Sequence, residues 1–313
     1  MKKVKLIAVL LLLTLGLAAC TSAPNSSAEH TPPEELLSGV IDSDREGNPI
    51  TLPSSIQSIM TLGPSNTEIL VALGFADLII AACDNSANVP GLPADIPLLS
   101  MLVPDGERII DLNPDIIFAT SMSRAGGDDP FKLVRDVGIC VVYIPSSSSI
   151  AEIKDDIRFL AAVMGVESRG DELVTEMEQE IERIAALGSA VAEKKRVYFE
   201  IAAAPFMYSF GTGVFLHEMI ELIGAVNIFA EHESWIFVPD ESVLEADPDV
   251  ILTVVNYIED PVAEIKARPG WESMTAVQEN AVFYIDTDAS NRPSHNIVRA
   301  LREMIAAVYP ELR

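Results

Sequence analysis

An internal repeat constrains the fold of this chain more than any other feature of its sequence. Residues Glu107–Phe118 align without gaps on Glu241–Leu252, 134 positions later, and both copies contain Pro-Asp followed by an apolar run. A second pair of similar segments, Glu68–Gly74 and Glu218–Gly224, is 150 positions apart. Proline and glycine end helices, and a short β-branched run after them is typical of a buried strand. The repeat therefore predicts two similar α/β lobes, with the ligand site in the cleft between them.

Short apolar runs alternate with helical patterns along both halves of the chain. The runs are Ile59–Leu62, Leu78–Cys83, Ile116–Ala119 and Cys140–Ile144, then Val197–Ile201, Val250–Val255 and Val282–Ile285. This alternation is typical of parallel sheets with crossover helices. Between the halves, about Gly170 to Leu187, apolar residues recur every three or four positions and predict one helix of ~27 Å. The predicted fold class is α/β, with two Rossmann-like lobes joined by a single long backbone helix.

The N-terminus carries the pattern of an export signal. Three lysines precede the apolar run Leu6–Leu17, which is too short to span a bilayer, and small residues follow before Cys20. Leu17–Cys20 looks like a lipobox, which predicts lipidation of Cys20; an ordinary signal with a chance cysteine is the alternative. We expect a signal peptide at 1–19, a lipidated flexible tether at 20–38, an N-terminal lobe at 39–167, a bridging helix at 168–192 and a C-terminal lobe at 193–313.

The charge of the chain excludes one large class of partners. Asp and Glu total 47 against 21 Lys and Arg, a net charge of −26 at pH 7. A surface this acidic repels phosphate backbones, so nucleic acid is not a partner. Cys83 and Cys140 lie beside apolar runs and are predicted to be buried thiols.

Several segments in fixed order resemble the substrate-binding lipoproteins of ABC importers for iron chelates and cobalamin. They are Ile59–Leu70, the two Pro-Asp segments, Gly224–Phe229, Trp235 ahead of Glu241, and Arg268–Trp271 followed by Ala276-Val277. The resemblance covers residues 40–313 and implies little hinge motion and a shallow cleft. It also implies a permease dimer with its ATPase subunits as partner, and no cofactor of its own. The expected location is the outer face of the cytoplasmic membrane, or the periplasmic side in a two-membrane cell.

The resemblance implies that Glu107 and Glu241 dock onto permease arginines. The repeat makes these two glutamates equivalent, which suits a two-fold permease dimer. The alternative is that each only complements a helix dipole, with Asp105 or Gly106 capping one helix and Asp240 the other. Glu68 is predicted to close a capping box with Ser65.

The predicted cleft residues follow strands of both lobes. They are Pro64, Asn85, Met101, Met122, Arg124, Tyr208, Trp235, Tyr257 and Arg292. Aromatic and thioether groups suit a large chelate, and the arginines suit its carboxylate or catecholate oxygens. Trp235 and Arg292 match family cleft positions most directly, whereas Met101 stands where some cobalamin binders place an aromatic. For Trp235 and the methionines, core packing is the alternative.

The predicted ligand is an iron(III) chelate, either a siderophore or haem, with a corrinoid as the alternative. His217 with Glu221, or the segment Glu231–Glu233, could instead bind bare zinc or manganese. An exported hydrolase or a structural lipoprotein would also be compatible with an export signal. The sequence has no Walker loop, no G-x-S-x-G and no H-E-x-x-H. We therefore predict a binding protein and not an enzyme.

Overall fold

The computed structural model describes residues 41–124 and 129–312. These described residues form one compact unit. The predicted signal peptide, Cys20 and the tether lie outside the described residues. Within the described part, no helix is both long and apolar enough to cross a bilayer.

Two parallel sheets, one in each half of the unit, organise the fold. The first contains β1 (Ile59–Leu62), β2 (Ile79–Cys83), β3 (Leu98–Leu99), β4 (Ile116–Thr120) and β5 (Cys140–Ile144), in the order β3-β2-β1-β4-β5. The second contains β6 (Arg196–Glu200), β8 (Val226–Asn227), β10 (Val250–Thr253) and β11 (Val282–Tyr284), in the order β11-β10-β6-β8. An antiparallel ribbon pairs β7 (Tyr208–Phe210) with β9 (Trp235–Phe237). All residues of β1, β4 and β10 are buried, as their unbroken apolar runs predict for strands covered on both faces.

Helices cover the sheets and connect them. They are α1 (Pro64–Ala72), α2 (Gly106–Leu112), α3 (Lys132–Asp136), α4 (Ile150–Val163), α5 (Glu167–Ser189), α6 (Phe215–Leu222), α7 (Asp240–Ala246), α8 (Pro261–Lys266), α9 (Thr275–Gln278), α10 (Thr287–Asn291) and α11 (Ile297–Val308). Short 3-10 turns occupy Ala76–Leu78, Asp84–Ser86, Ser121–Arg124, Trp271–Ser273 and Pro310–Leu312.

Helix α5 connects the two halves. It has 23 residues and contains the whole segment that periodicity predicts. Val174, Met177 and Ile184 are buried in the core that α5 shares with α4 and α11. The predicted fold class is confirmed: the chain has two α/β lobes joined by a single long helix. The residue limits assigned to each lobe stay predictions.

The sequence repeat is also a structural repeat. Helices α2 and α7 have seven residues each, and their C-cap residues Asn113 and Asp247 both lie in the left-handed region with φ of 46° and 41°. The next aspartates, Asp115 and Asp249, each accept a backbone N–H at the start of the neighbouring strand, at 2.9 Å from Ser58 and 2.7 Å from Arg196. The two copies of the repeat thus share the same left-handed helix end and the same hydrogen bond to the neighbouring strand.

The predicted caps of these two helices have different outcomes. Asp105 caps α2 by accepting the backbone N–H of Arg108 at 3.0 Å, as expected. The prediction that Asp240 caps α7 is wrong. Pro239 occupies the N-cap position with extended backbone, so Asp240 is the first helical residue.

Two glycines allow α5 to cross the end of α6. A Cβ added at Gly188 would lie 2.2 Å from the carbonyl oxygen of Leu222, and one at Gly224 would lie 2.2 Å from that of Gly188. Such distances are shorter than any real contact. Both positions therefore require glycine.

Gly188→Ala is expected to lower the free energy of unfolding by about 1–3 kcal/mol, the usual cost of overpacking. The methyl group can be accommodated only if α5 moves away from α6. Denaturant unfolding measures the change, with Ser189→Ala at the next, exposed position as the control. Equal stability of the two variants would show that the crossing relaxes freely.

Candidate functional site

A cavity of about 520 Å³ lies between the two lobes. Its walls come from the loops and first helical turns that follow the strands. They comprise Gly63–Asn66, Met101, Thr120, Met122 and Ile144–Ser148 from the first lobe, and Gly213–Phe215, Ser234, Trp235 and Asn291–Pro293 from the second. Ligands of α/β sheets bind beyond the carboxyl ends of the strands, and this volume is in the usual range for a small-molecule site. We call this space the interlobe cavity.

The structure places the nine predicted cleft residues in two groups. Five line the interlobe cavity, namely Pro64, Met101, Met122, Trp235 and Arg292. Four do not, namely Asn85, Arg124, Tyr208 and Tyr257. The predicted set therefore locates the cavity but covers only part of its wall.

Trp235 is held at the cavity by the β7–β9 ribbon. It pairs with Phe210 in that ribbon, and the two rings meet edge to face with centroids 5.9 Å apart. The indole remains 43% exposed, whereas the other tryptophan, Trp271, is fully buried. The alternative that Trp235 is a core residue does not hold, so its ring is available to a ligand.

Arg292 lines the cavity, but its guanidinium is engaged by the protein. It donates to Glu68 Oε1 at 2.9 Å, to the Asn85 carbonyl oxygen at 2.7 Å and to Asn88 Oδ1 at 2.7 Å. A fourth contact joins it to Asp288 at 2.8 Å. A buried charge needs such partners, because removal from water costs several kcal/mol.

The capping box predicted for Glu68 is wrong. Pro64 fits the first helical position, so α1 starts there with Gly63 as its N-cap, and Ser65 already lies inside the first turn. The Glu68 carboxylate therefore does not cap α1, and it contacts residues of the second lobe instead. Besides Arg292, it accepts hydrogen bonds from Ser294 and, at 2.9 Å, from Asn296 Nδ2.

The equivalent glutamate of the second lobe makes the reciprocal contact. Glu218 accepts the backbone N–H of Ile150 at 3.0 Å, at the start of α4. Glu68 binds Asn296, at the start of α11. A glutamate of each lobe thus accepts a hydrogen bond from the N-terminal end of a helix in the other lobe. The sequence signal for this pairing is the second repeat, whose two segments begin with these glutamates.

The predicted residues outside the cavity have other contacts. Arg124 pairs with Glu46 and lies over the ring of Tyr143, with its guanidinium carbon 4.1 Å from the centroid. Tyr257 is 67% exposed, and its hydroxyl accepts the backbone N–H of Ala203 at 2.8 Å. Each of the two predicted cleft arginines therefore has a carboxylate partner, so neither presents an uncompensated positive charge to a ligand.

The remaining wall of the cavity is uncharged. Its polar side chains are the hydroxyls and amides of Ser65, Asn66, Thr120, Ser146–Ser148, Ser234 and Asn291. Among the described residues that line it, Arg292 alone carries a charge, and none is His, Tyr or Cys. Such a wall offers neutral hydrogen-bonding groups beside an apolar surface.

The other candidate groups lie elsewhere. Glu107 and Glu241 are exposed in the first turns of α2 and α7, and neither lines the cavity. His217 approaches Glu221 at 3.6 Å and His232 approaches Glu231 at 3.9 Å. In residues 41–124 and 129–312, no group of three or more His, Cys, Asp or Glu is placed to hold a metal ion. Cys83 is buried and Cys140 half-buried, and both are free thiols.

Comparison with known proteins gives consistent matches along the chain. The model of the family described as "Periplasmic binding protein" matches residues 59–289. An ABC transporter substrate-binding lipoprotein of Bacillus subtilis is 27% identical over 99% of this chain and 98% of its own length. A vitamin B12-binding protein of Vibrio cholerae is 26% identical over 80% of this chain and 89% of its own length.

Solved structures share the same architecture. A possible iron-binding protein of Staphylococcus epidermidis superposes with a TM-score of 0.72 at 26% identity, covering 81% of this chain and 99% of that one. A heme-binding protein of Roseiflexus superposes with a TM-score of 0.74 at 22% identity, covering 83% and 100%. The second match supports the fold alone.

Proposed function

This chain belongs to the periplasmic binding protein family and is a substrate-binding protein of an ABC importer, and we propose from that premise that it captures an iron(III) chelate in the interlobe cavity. The observation that carries the proposal is the cavity itself. It has room for a small chelate and presents thioethers, hydroxyls and one half-exposed indole. A corrinoid is the second candidate, favoured by the uncharged wall and by the vitamin B12-binding relative.

The rest of the proposal concerns where the protein works and what it meets. Its family is that of periplasmic binding proteins and one relative is a substrate-binding lipoprotein, so the chain acts outside the cytoplasm. We also propose that Cys20 carries a lipid. Glu107 and Glu241 then dock on a permease dimer that carries ATPase subunits. Members of the family are solute-binding proteins, and a non-enzymatic role is part of the proposal.

Tryptophan fluorescence tests the binding function directly. The chain has two tryptophans, and only Trp235 borders the cavity. Titration with ferric siderophores, haem and cyanocobalamin should give saturable quenching with one class, and Trp235→Phe should remove most of that signal. Silence with every chelate, together with a response to zinc or manganese, would replace the proposal with bare-metal import.

Trp235→Ala is expected to weaken ligand binding by about 1–3 kcal/mol, the usual worth of a buried aromatic contact. Isothermal titration measures the dissociation constant without relying on the removed fluorophore. Phe206→Ala is the matched control, because Phe206 is an exposed aromatic of the same lobe that does not line the cavity. An unchanged dissociation constant in Trp235→Ala would remove the indole from the binding site.

A further inference from the structure

The charge state of the interlobe cavity depends on residues behind its wall. The guanidinium of Arg292 is the one charged group among the described lining residues. Its side chain is 9% exposed, and that of its partner Glu68 is 4% exposed. Glu68 itself does not line the cavity. The positive charge of Arg292 is therefore already compensated by Glu68, outside the cavity, before a ligand contacts the arginine.

A second carboxylate strengthens this cancellation. Asp288, one turn before Arg292 along the chain, contacts the guanidinium at 2.8 Å. Two negative groups thus surround one positive group. The first turns of α1 and α6 also border the cavity, and each helix N-terminus is worth about half a positive charge. Taken together these charges nearly balance, so the wall is close to neutral.

A neutral wall discriminates between ligands by charge. An anionic chelate would lose its hydration on entering the cavity and find no uncompensated cation to replace it. The overall net charge of −26 also opposes its approach. An uncharged chelate avoids both costs. It can use the serine, threonine and asparagine groups of the wall for its hydrogen bonds.

We infer that Glu68 and Asp288 determine the specificity of the cavity by cancelling the charge of Arg292, so that it selects a metal chelate without net charge over an anionic one. This inference rests on the proposed function and narrows its substrate class. It favours an uncharged ferric hydroxamate or a corrinoid over a catecholate or a porphyrin with free carboxylates. Glu68 acts here through Arg292, as a positioning residue.

The test compares pairs of probes that differ in charge, and the members of the first two pairs share one scaffold. The corrinoid pair is cyanocobalamin and its monocarboxylate, in which one side-chain amide is hydrolysed. The porphyrin pair is zinc protoporphyrin, whose neutral metal core carries two free propionates, and its uncharged dimethyl ester. Ferrichrome, an uncharged hydroxamate chelate, is set against ferric enterobactin, an anionic catecholate. Isothermal titration of the purified chain gives the affinity ratio within each pair.

We expect the wild-type protein to prefer the uncharged member of whichever pair it binds by about tenfold or more. Glu68→Gln keeps the shape of the side chain but releases the charge of Arg292, so the preference should disappear or reverse. Asp288→Asn, at a half-buried position, should shift the ratio in the same direction by a smaller amount. Glu68→Gln combined with Arg292→Gln removes both charges and should restore the preference for the uncharged probe.

Loss of folding cannot imitate this result, because the readout is a ratio of two affinities in one protein. Thermal unfolding of each variant, followed by circular dichroism, confirms that the ratio belongs to folded protein. Binding with the same ratio in Glu68→Gln and wild type would overturn the inference and leave the proposed function intact. A wild-type preference for the anionic member would overturn it as well. Failure of all probes to bind would refute the proposed function itself.

Discussion

Replacing Glu107 and Glu241 together by alanine is expected to abolish ligand uptake while the affinity of the protein for its ligand stays unchanged. Both side chains are exposed and lie outside the interlobe cavity. They occupy equivalent positions in the first turns of two seven-residue helices, one in each lobe. A two-fold permease dimer can therefore meet one glutamate with each subunit. Truncating one member of a buried interfacial charge pair costs about 2–5 kcal/mol, so losing two should weaken docking by about a thousandfold or more.

Uptake of radiolabelled ligand into proteoliposomes that contain the permease measures the effect. Fluorescence titration of the same variant measures ligand affinity. Each single substitution keeps one contact and should give an intermediate rate of uptake. Glu182→Ala with Glu279→Ala changes the net charge equally at two other exposed positions and should transport normally. A double variant that loses ligand affinity but still binds the permease would contradict the assignment.

The sequence predicts those parts of the fold that depend on local pattern. The buried strands are predicted correctly because an unbroken apolar run such as Ile116–Ala119 is stable only when both of its faces are shielded from water. The long helix is found because its apolar stripe must face a core. The equivalence of Asn113 and Asp247 follows from the repeat, since the same helix–Pro-Asp–strand unit is built twice.

The parts that fail depend on contacts between distant segments. Ser65 and Glu68 have the spacing of a capping box, yet Pro64 starts the helix earlier and Glu68 binds residues more than 220 positions away. Arg124 follows a strand, as a cleft residue should, but its guanidinium pairs with Glu46 and does not line the interlobe cavity. A local pattern cannot reveal which carboxylate a loop will bring to an arginine. The cleft residues are therefore predicted less completely than the strands.

The Arg268–Trp271 segment, part of the sequence resemblance, has a structural explanation in an ion pair within the second lobe. Arg268 donates to Glu200 Oε2 and to Glu264 Oε2, both at 2.6 Å. Its guanidinium carbon lies 4.6 Å from the ring centroid of the buried Trp271. The side chains of Arg268 and Glu200 are 5% and 0% exposed. A carboxylate this deeply buried is tolerated only while its partner remains.

Arg268→Ala is expected to lower the free energy of unfolding by about 3–5 kcal/mol, the usual cost of leaving one charge of a buried pair alone. Arg299→Ala, which breaks a half-exposed pair with Asp286, should cost no more than about 1 kcal/mol and serves as the control. Denaturant unfolding at pH 7 measures both. Glu200→Gln added to Arg268→Ala should recover part of the loss, because it removes the unpaired charge. Equal losses in the Arg268 and Arg299 variants would mean that the pair contributes no more than a surface contact.

The pH dependence of the Arg268→Ala variant distinguishes an unpaired charge from a packing defect. Burial raises the pKa of Glu200, and the hydrogen bond from Arg268 opposes that rise. Without Arg268 the folded protein keeps the Glu200 proton to a higher pH than the unfolded chain does. The variant should therefore be least destabilised below the ordinary carboxyl pKa of about 4.3 and should lose stability relative to wild type as the pH rises toward 7. A packing defect alone would give the same difference at every pH, and that result would contradict the ionic explanation.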